Sequence, residues 1–227
     1  MKWKHIRLAL LAGVAAFLII GTVMFAGADD REIIEKTGTV LENGAKMGFV
    51  VPKYTADGLG ISSITDINSH AGTFEGRIVG IDAGAGLTDV SKKAIEEYGL
   101  SLDLATSSEA GMLATLSSAL DSRKHIVVTL WSPHWVWGAY DLVYLDDPDL
   151  VFGEAESIES WSRQGLAAGD TVLAGIMANY SFEMGQFDSL LTYLEDSDKD
   201  IGEAAGEWVE GNPELLEKWL DGIAYRE

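Results

Sequence analysis
No cysteine occurs in the 227-residue chain, which excludes a disulfide scaffold, a thiolate metal site and a lipid carried on sulfur. Four prolines and four histidines are all that the sequence holds, and no H-E-x-x-H pattern occurs, so no metal site is recognisable. Positive charge is also scarce, with 16 Lys and Arg against 36 Asp and Glu for a net charge of -20. Such a balance repels phosphate backbones and argues against a nucleic-acid partner. There is no G-x-S-x-G elbow and no P-loop Lys-Ser/Thr, which leaves enzyme readings without a nucleophile or a phosphate cradle.

The charge that is present is unevenly placed. Lys2, Lys4 and Arg7 precede an uncharged apolar run from Leu8 to Ala28, long enough for a hydrocarbon core of ~30 Å. Ala26-Gly27-Ala28 before Asp29-Asp30 fits a cleavage site, whereas the length of the run fits a retained anchor. Both readings send the remainder, which keeps 13 basic residues against all 36 acidic ones, to the outer face of a membrane. Residues 29–43 are polar, without a strong period, and read as a linker.

From residue 44 to about 145 the pattern alternates strand and helix. Lys46 to Val51 reads as a strand stopped by Pro52, a short helix capped by Ser62 or Ser63 follows, and Arg77 to Ile81 is the next strand. Val90, Ala94, Ile95 and Tyr98 form a helical stripe, Leu102 to Ala105 is a weak strand, and Met112, Leu116, Ala119 and Leu120 form a second stripe. His125 to Leu130 is a β-branched run of the kind seen in strands covered on both faces. This alternation predicts an α/β lobe with a largely parallel sheet. Apart from Asp141 to Leu145, the region 146–227 shows only helices separated by polar turns, with stripes at Phe187, Leu190, Leu191 and Leu194, at Ala204, Ala205, Trp208 and Val209, and at Leu215 to Ile223.

The most distinctive stretch is Trp131-Ser132-Pro133-His134-Trp135-Val136-Trp137, directly after the HIVVTL strand. Ligands of α/β sheets bind at the C-terminal ends of strands. Aromatic faces attract cations that have no proton to donate, and a histidine N–H suits a carboxylate. Core filling is the alternative role for these tryptophans. Gly84-Ala85-Gly86 between a strand and a helix offers backbone N–H groups to an anion, or is a tight βα connection. It is not a dinucleotide fingerprint, because Asp89 stands where the third glycine belongs.

With these residues in view, the chain resembles the glycine betaine substrate-binding proteins of ABC importers. The resemblance rests on GAKMGFVVPKY (44–54), IVGIDAGAGL (78–87), KAIEEYGL (93–100), IVVTLWSPHW (126–135), YDLVYLDDP (140–148) and WVEGNPELLEKWL (208–220), in family order. It implies a type II periplasmic-binding-protein-like fold, no cofactor, no catalysis, and an ABC permease as partner. A quaternary ammonium compatible solute would be held in an aromatic cage. By position, Trp131 corresponds to a cage tryptophan, His134 to a carboxylate donor and Trp135 to a neighbour, while Phe182 stands where the family often has another cage Trp. The resemblance also implies that the first half of lobe one, which carries further cage motifs, is absent ahead of Gly44. The C-terminal helices would then return to a sheet that this chain does not encode, and a second polypeptide could supply it. A membrane-anchored interaction module that binds no solute is the competing expectation.

Overall fold
A computed structural model describes residues 33–223. The apolar segment at 8–28, expected to be a signal or an anchor, lies outside the described residues; among those described, no helix is long and apolar enough to cross a membrane. The chain divides into two compact units, one made of residues 45–156 and the other of the flanking segments up to Gly44 and from Ser157 onward.

In the 45–156 unit, Phe49, Val50 and Val51 are fully buried at the end of β1 (Ile34–Pro52). Pro52, which has no N–H for a ladder, ends the strand and leads into α1 (Lys53–Leu59). A 3-10 turn over Ile64–His70 starts as the sequence suggests: Ser63 caps it, and the Ser62 and Ser63 N–H groups both donate to the Asp66 carboxylate at 2.9 Å. Those two donors hold the Asp66 carboxyl below its ordinary range. Then come β2 (Arg77–Gly80), α2 (Gly86–Glu97), β3 (Asp103–Thr106), α3 (Glu109–Asp121), β4 (Val128–Ser132), the short α4 (Val136–Ala139) and β5 (Leu142–Tyr144).

The strand order is β3-β2-β4-β1-β5. β2 runs parallel to β3 and β4, but β1 is antiparallel to both β4 and β5. The sheet is therefore mixed, where the alternation of strands and helices predicts a largely parallel one. Only β2, β3 and β4 are joined by crossover helices, which force parallel pairing. β1 sits centrally and is buried on both faces, so its apolar run reads the same in either direction. The stripes at Leu87 and Ala94 of α2 and at Met112, Leu116 and Ala119 of α3 close the core against Ile78, Val128 and Leu130.

In the other unit, residues 34–43 are not a linker: they are the first half of β1, and they pair with β6 (Glu156–Arg163), a strand absent from the sequence reading. Both halves of this ribbon are rich in Ser, Thr, Glu and Lys and only half-buried, so neither shows the apolar alternation that marks a strand. Lys36 and Glu159 form an ion pair across it. α5 (Leu166–Gly169), α6 (Thr171–Asn179), α7 (Met184–Glu195), α8 (Ile201–Glu210) and α9 (Pro213–Leu220) complete the unit.

The C-terminal helices thus meet strand residues that the chain does encode. Val40 and Leu41 of β1 join Tyr180, Phe182, Leu190, Trp208, Leu215 and Trp219 in one buried cluster. The approach of α6 to the ribbon is close: a Cβ on Gly38 would lie 2.6 Å from the Met177 carbonyl oxygen, so only glycine fits there. Side-chain oxygens cap α6 and α8, with Asp170 accepting from the Leu173 N–H and Asp200 from the Gly202 N–H, each at 2.9 Å.

Among the described residues of this unit, one buried side-chain oxygen lacks a hydrogen-bond partner. It is Oδ1 of Asp188 on α7, and desolvation pushes that carboxyl up to about 6. A raised folded-state value means that the native protein binds the extra proton, so this contribution to stability is fully present below about pH 4 and is lost as pH rises through about 6. Asp188→Asn is expected to flatten that fall, by up to about 1 kcal/mol because the side chain is only partly buried. Urea midpoints at pH 4.5 and pH 7.5 check it, and an unchanged difference between the two pH values would remove Asp188 as the cause.

Candidate functional site
Three loops meet at one edge of the 45–156 unit, because β2, β3 and β4 run parallel and each ends there. They are residues 82–86 after β2, Ser107-Ser108-Glu109 after β3, and Trp131 to Trp135 at the end of β4. Ser107 Oγ donates to the Gly80 carbonyl at 3.3 Å and ties the second loop to the first. Helices α2 and α3 both start at this edge, so two positive helix ends face the same side.

Trp131 is anchored by the register of β4, opposite Met47 of β1. A cis Ser132-Pro133 bond follows, and then His134, only 6% exposed. The turn is closed by backbone bonds from Trp137 N–H to His134 O (3.2 Å) and from Gly138 N–H to Trp135 O (3.1 Å). The Trp131 ring meets the His134 imidazole edge to face, with centroids 4.8 Å apart, and Trp135 stands 5.7 Å from the same imidazole. Two partly buried indoles therefore flank one histidine.

Trp137 has a different task. Its indole N–H donates to the Trp131 carbonyl at 2.9 Å, and its ring stacks on Tyr144 at 4.6 Å. Tyr144 in turn carries the Lys46 ammonium over its ring, 4.6 Å from the centroid, and its hydroxyl donates to the Lys46 carbonyl at 3.1 Å. These bonds fix the backbone from which Trp131 projects.

The geometry also fixes the histidine tautomer. The Val136 N–H donates to His134 Nδ1 at 3.3 Å, so in the neutral ring the proton sits on Nε2. That nitrogen lies 3.3 Å from Glu109 Oε1, at the first turn of α3, where a carboxylate suits the helix end. Glu109 was not among the residues that sequence reasoning singled out. Its only signal is its place after Ser107-Ser108 at a strand-to-helix junction.

Gly84, Ala85 and Gly86 lie at the same edge. Thr88 Oγ1 and the Ala85 N–H both donate to the Asp82 carbonyl, at 2.7 and 3.0 Å, and Ala85 caps α2 without a side-chain bond. A Cβ at Gly84 or Gly86 would touch nothing within 4 Å, so packing does not demand glycine there. The bare loop leaves room beside the start of α2 for an anionic group to approach the backbone.

Phe182 lies in the other unit, among neighbours of its own. It is 5% exposed and is enclosed by Tyr180, Phe187 and Trp219 with ring centroids 5.2, 5.0 and 5.1 Å away. Its N–H donates to Val40 O at 2.8 Å, which makes it a core group of that unit.

Residues 23–211 match the model of the substrate binding domain of ABC-type glycine betaine transport systems. The glycine betaine/carnitine transport binding protein GbuC of Listeria monocytogenes is 38% identical over 149 residues, which are 64% of this chain and 49% of that protein. This chain thus spans about half the length of that curated relative. Among solved structures, the glycine betaine/L-proline-binding protein ProX of Borrelia burgdorferi is 34% identical, with a TM-score of 0.64 over 83% of this chain and 70% of its own. Lactococcal OpuAC, solved in its closed form with glycine betaine, is 31% identical with a TM-score of 0.63 over 82% and 70% of the two chains. An ABC-transporter choline-binding protein in complex with choline is 27% identical with a TM-score of 0.64 over 86% and 69%. The mixed α/β architecture is that of the periplasmic binding proteins, and the chain belongs to the family of substrate-binding domains of ABC-type glycine betaine transport systems.

Proposed function
We propose that the chain binds a quaternary ammonium compatible solute, of the glycine betaine or choline type, and presents it to an ABC permease at the outer face of a membrane. The observation that carries this reading is the pair Trp131–His134: an indole face and a proton-bearing Nε2 side by side at the C-terminal edge of parallel strands. Trp131 holds the trimethylammonium group, Trp135 flanks it, His134 donates to the solute's polar end, and the backbone at Gly84, Ala85 and Gly86 completes the anion side. The ligands named for lactococcal OpuAC and for the choline-binding protein support this class of solute. The N-terminal apolar segment delivers the protein to the membrane, and the binding domain carries out no catalysis.

Calorimetric titration with glycine betaine and with choline tests the reading. Saturable heat with either supports it. Absence of heat with both overturns it.

Glu109 makes the test sharper. Its carboxylate already accepts from the nitrogen that a ligand carboxylate would use, and it adds negative charge beside the cation cage. A zwitterionic betaine must displace that carboxylate, whereas choline carries no acid to be repelled. Glu109→Gln is therefore expected to raise affinity for glycine betaine about fivefold and lower that for choline by a similar factor, an effect of about 1 kcal/mol each way for a half-exposed charge. The two dissociation constants moving together would exclude this competition.

A further inference from the structure
A cavity of about 370 Å³ opens at the opposite end of the same strands from Trp131, near the start of β2 and just before β4. Its volume falls within the range of small-molecule sites, roughly 300–1,000 Å³. β2 and β4 pair at Val79 and Val128, and the cavity lies upstream of that point, lined by Arg77 and Ile126 and by Ala114, Thr115 and Ser118 of α3. Phe74, Val79 and Ile126 form an apolar base that remains 3 to 7% exposed. Arg77, Lys124 and His125 stand around it, and Thr115 and Ser118 of α3 add two hydroxyls.

This basic lining is out of character for a chain of net charge -20. Arg123-Lys124-His125 is the one run of three basic side chains in the sequence after residue 28. Among the described residues Lys124 has no acidic partner, a state it shares with Lys93, Arg123, Arg163 and Lys218, but of these five it alone lines the cavity. The single acid on the rim, Glu75, is engaged by Arg77 at 2.6 Å. His125 is steadied by Thr55, whose Oγ1 lies 3.0 Å from its Nδ1. A cation at the C-terminal end of α3 also offsets the helix dipole, which accounts for one positive charge there. It does not account for an open apolar base with basic groups on two sides.

We propose that this cavity is a second ligand site, taking a small organic carboxylate whose compact apolar body rests on Phe74, Val79 and Ile126 while Lys124 holds the acid, with Arg77 adding further N–H donors beyond the one it gives to Glu75. The site is independent of the cage at Trp131, since about five residues of strand, ~16 Å, separate Ile126 from Trp131.

Benzoate is the probe, with inorganic phosphate, benzyl alcohol and a glutamate-rich peptide as comparisons, in an amide-shift titration of the full chain. The expected result is saturable shifts at Thr115, Ser118 and Lys124 with benzoate, at a dissociation constant of about 1 mM or tighter. Lys124→Glu weakens binding at least tenfold and Trp131→Ala leaves it unchanged. Arg77→Gln gives a second, independent loss should Lys124→Glu alter the fold. Equal saturation by phosphate, or by benzyl alcohol, would overturn the assignment of an organic carboxylate. Saturation by the peptide alone would overturn the small-molecule site in favour of a protein contact. Shifts confined to Trp131 and His134, or none, would remove the site altogether, whatever the outcome of the calorimetry with quaternary ammonium solutes.

Discussion

Trp219→Ala is expected to destabilise the C-terminal unit by about 3–5 kcal/mol, the usual cost of truncating a buried tryptophan. The residue is 1% exposed and sits between Tyr180 and Phe182, with ring centroids 4.7 and 5.1 Å away. Its indole N–H donates to the Ser181 carbonyl at 3.0 Å, and truncation removes that donor from a part-buried acceptor. Against a whole-domain stability of roughly 5–15 kcal/mol this is a large fraction. Hydrogen exchange should show the amides of Phe182, Leu190 and Trp208 losing protection first, because they share the same buried cluster. Trp219→Phe keeps most of the volume and should recover more than half of the loss. A melting curve of Trp219→Ala that overlays the wild type would mean that the cluster around Phe182 is not what holds α6 to α9 on the ribbon.

That cluster also shows what could be read from the sequence and what could not. The stripes of α7, α8 and α9 were visible because a helix that buries one face repeats its apolar residues every three to four positions. Their docking partner was not, because β1 and β6 expose half their surface and carry Lys36, Glu159 and Ser160 where a covered strand would carry apolar side chains. The central strands behaved in the opposite way. Residues 126–130 and 49–51 announce themselves by β-branched and aromatic density, but full burial erases direction, so the antiparallel setting of β1 had no sequence signal. At the candidate site, the place of Trp131 and His134 after a strand is legible in the sequence, and the structure puts the two rings in contact there. Trp137 looked equivalent to them until its N–H was seen on the Trp131 carbonyl. Glu109 is remote in sequence by 25 positions from His134, and only the parallel order of β2, β3 and β4 brings the two together. Phe182 carries a signal that family position alone supplies: within its own unit its ring packs among Tyr180, Phe187 and Trp219.

Trp131→Ala is expected to weaken binding of glycine betaine by about 30-fold, with choline affected to a similar extent. The indole supplies a cation–π face worth up to about 2 kcal/mol to a desolvated trimethylammonium group, and that energy corresponds to the stated factor. Both solutes carry the same cationic head, so the loss should be shared, in contrast to the opposite shifts expected for Glu109→Gln. Truncation at Trp131 leaves the backbone carbonyl that receives the Trp137 N–H, and it leaves the Trp137–Tyr144 stack, so the turn keeps its scaffold. Trp131→Phe retains a smaller aromatic face and should fall between the two. Trp137→Phe removes an indole that is already committed to the Trp131 carbonyl, and affinity should change by less than about threefold. If Trp137→Phe costs as much affinity as Trp131→Ala, the cation rests on a different wall of this turn. If Trp131→Ala binds with wild-type affinity while remaining folded, the edge-to-face pair with His134 is a packing contact and the cage lies elsewhere.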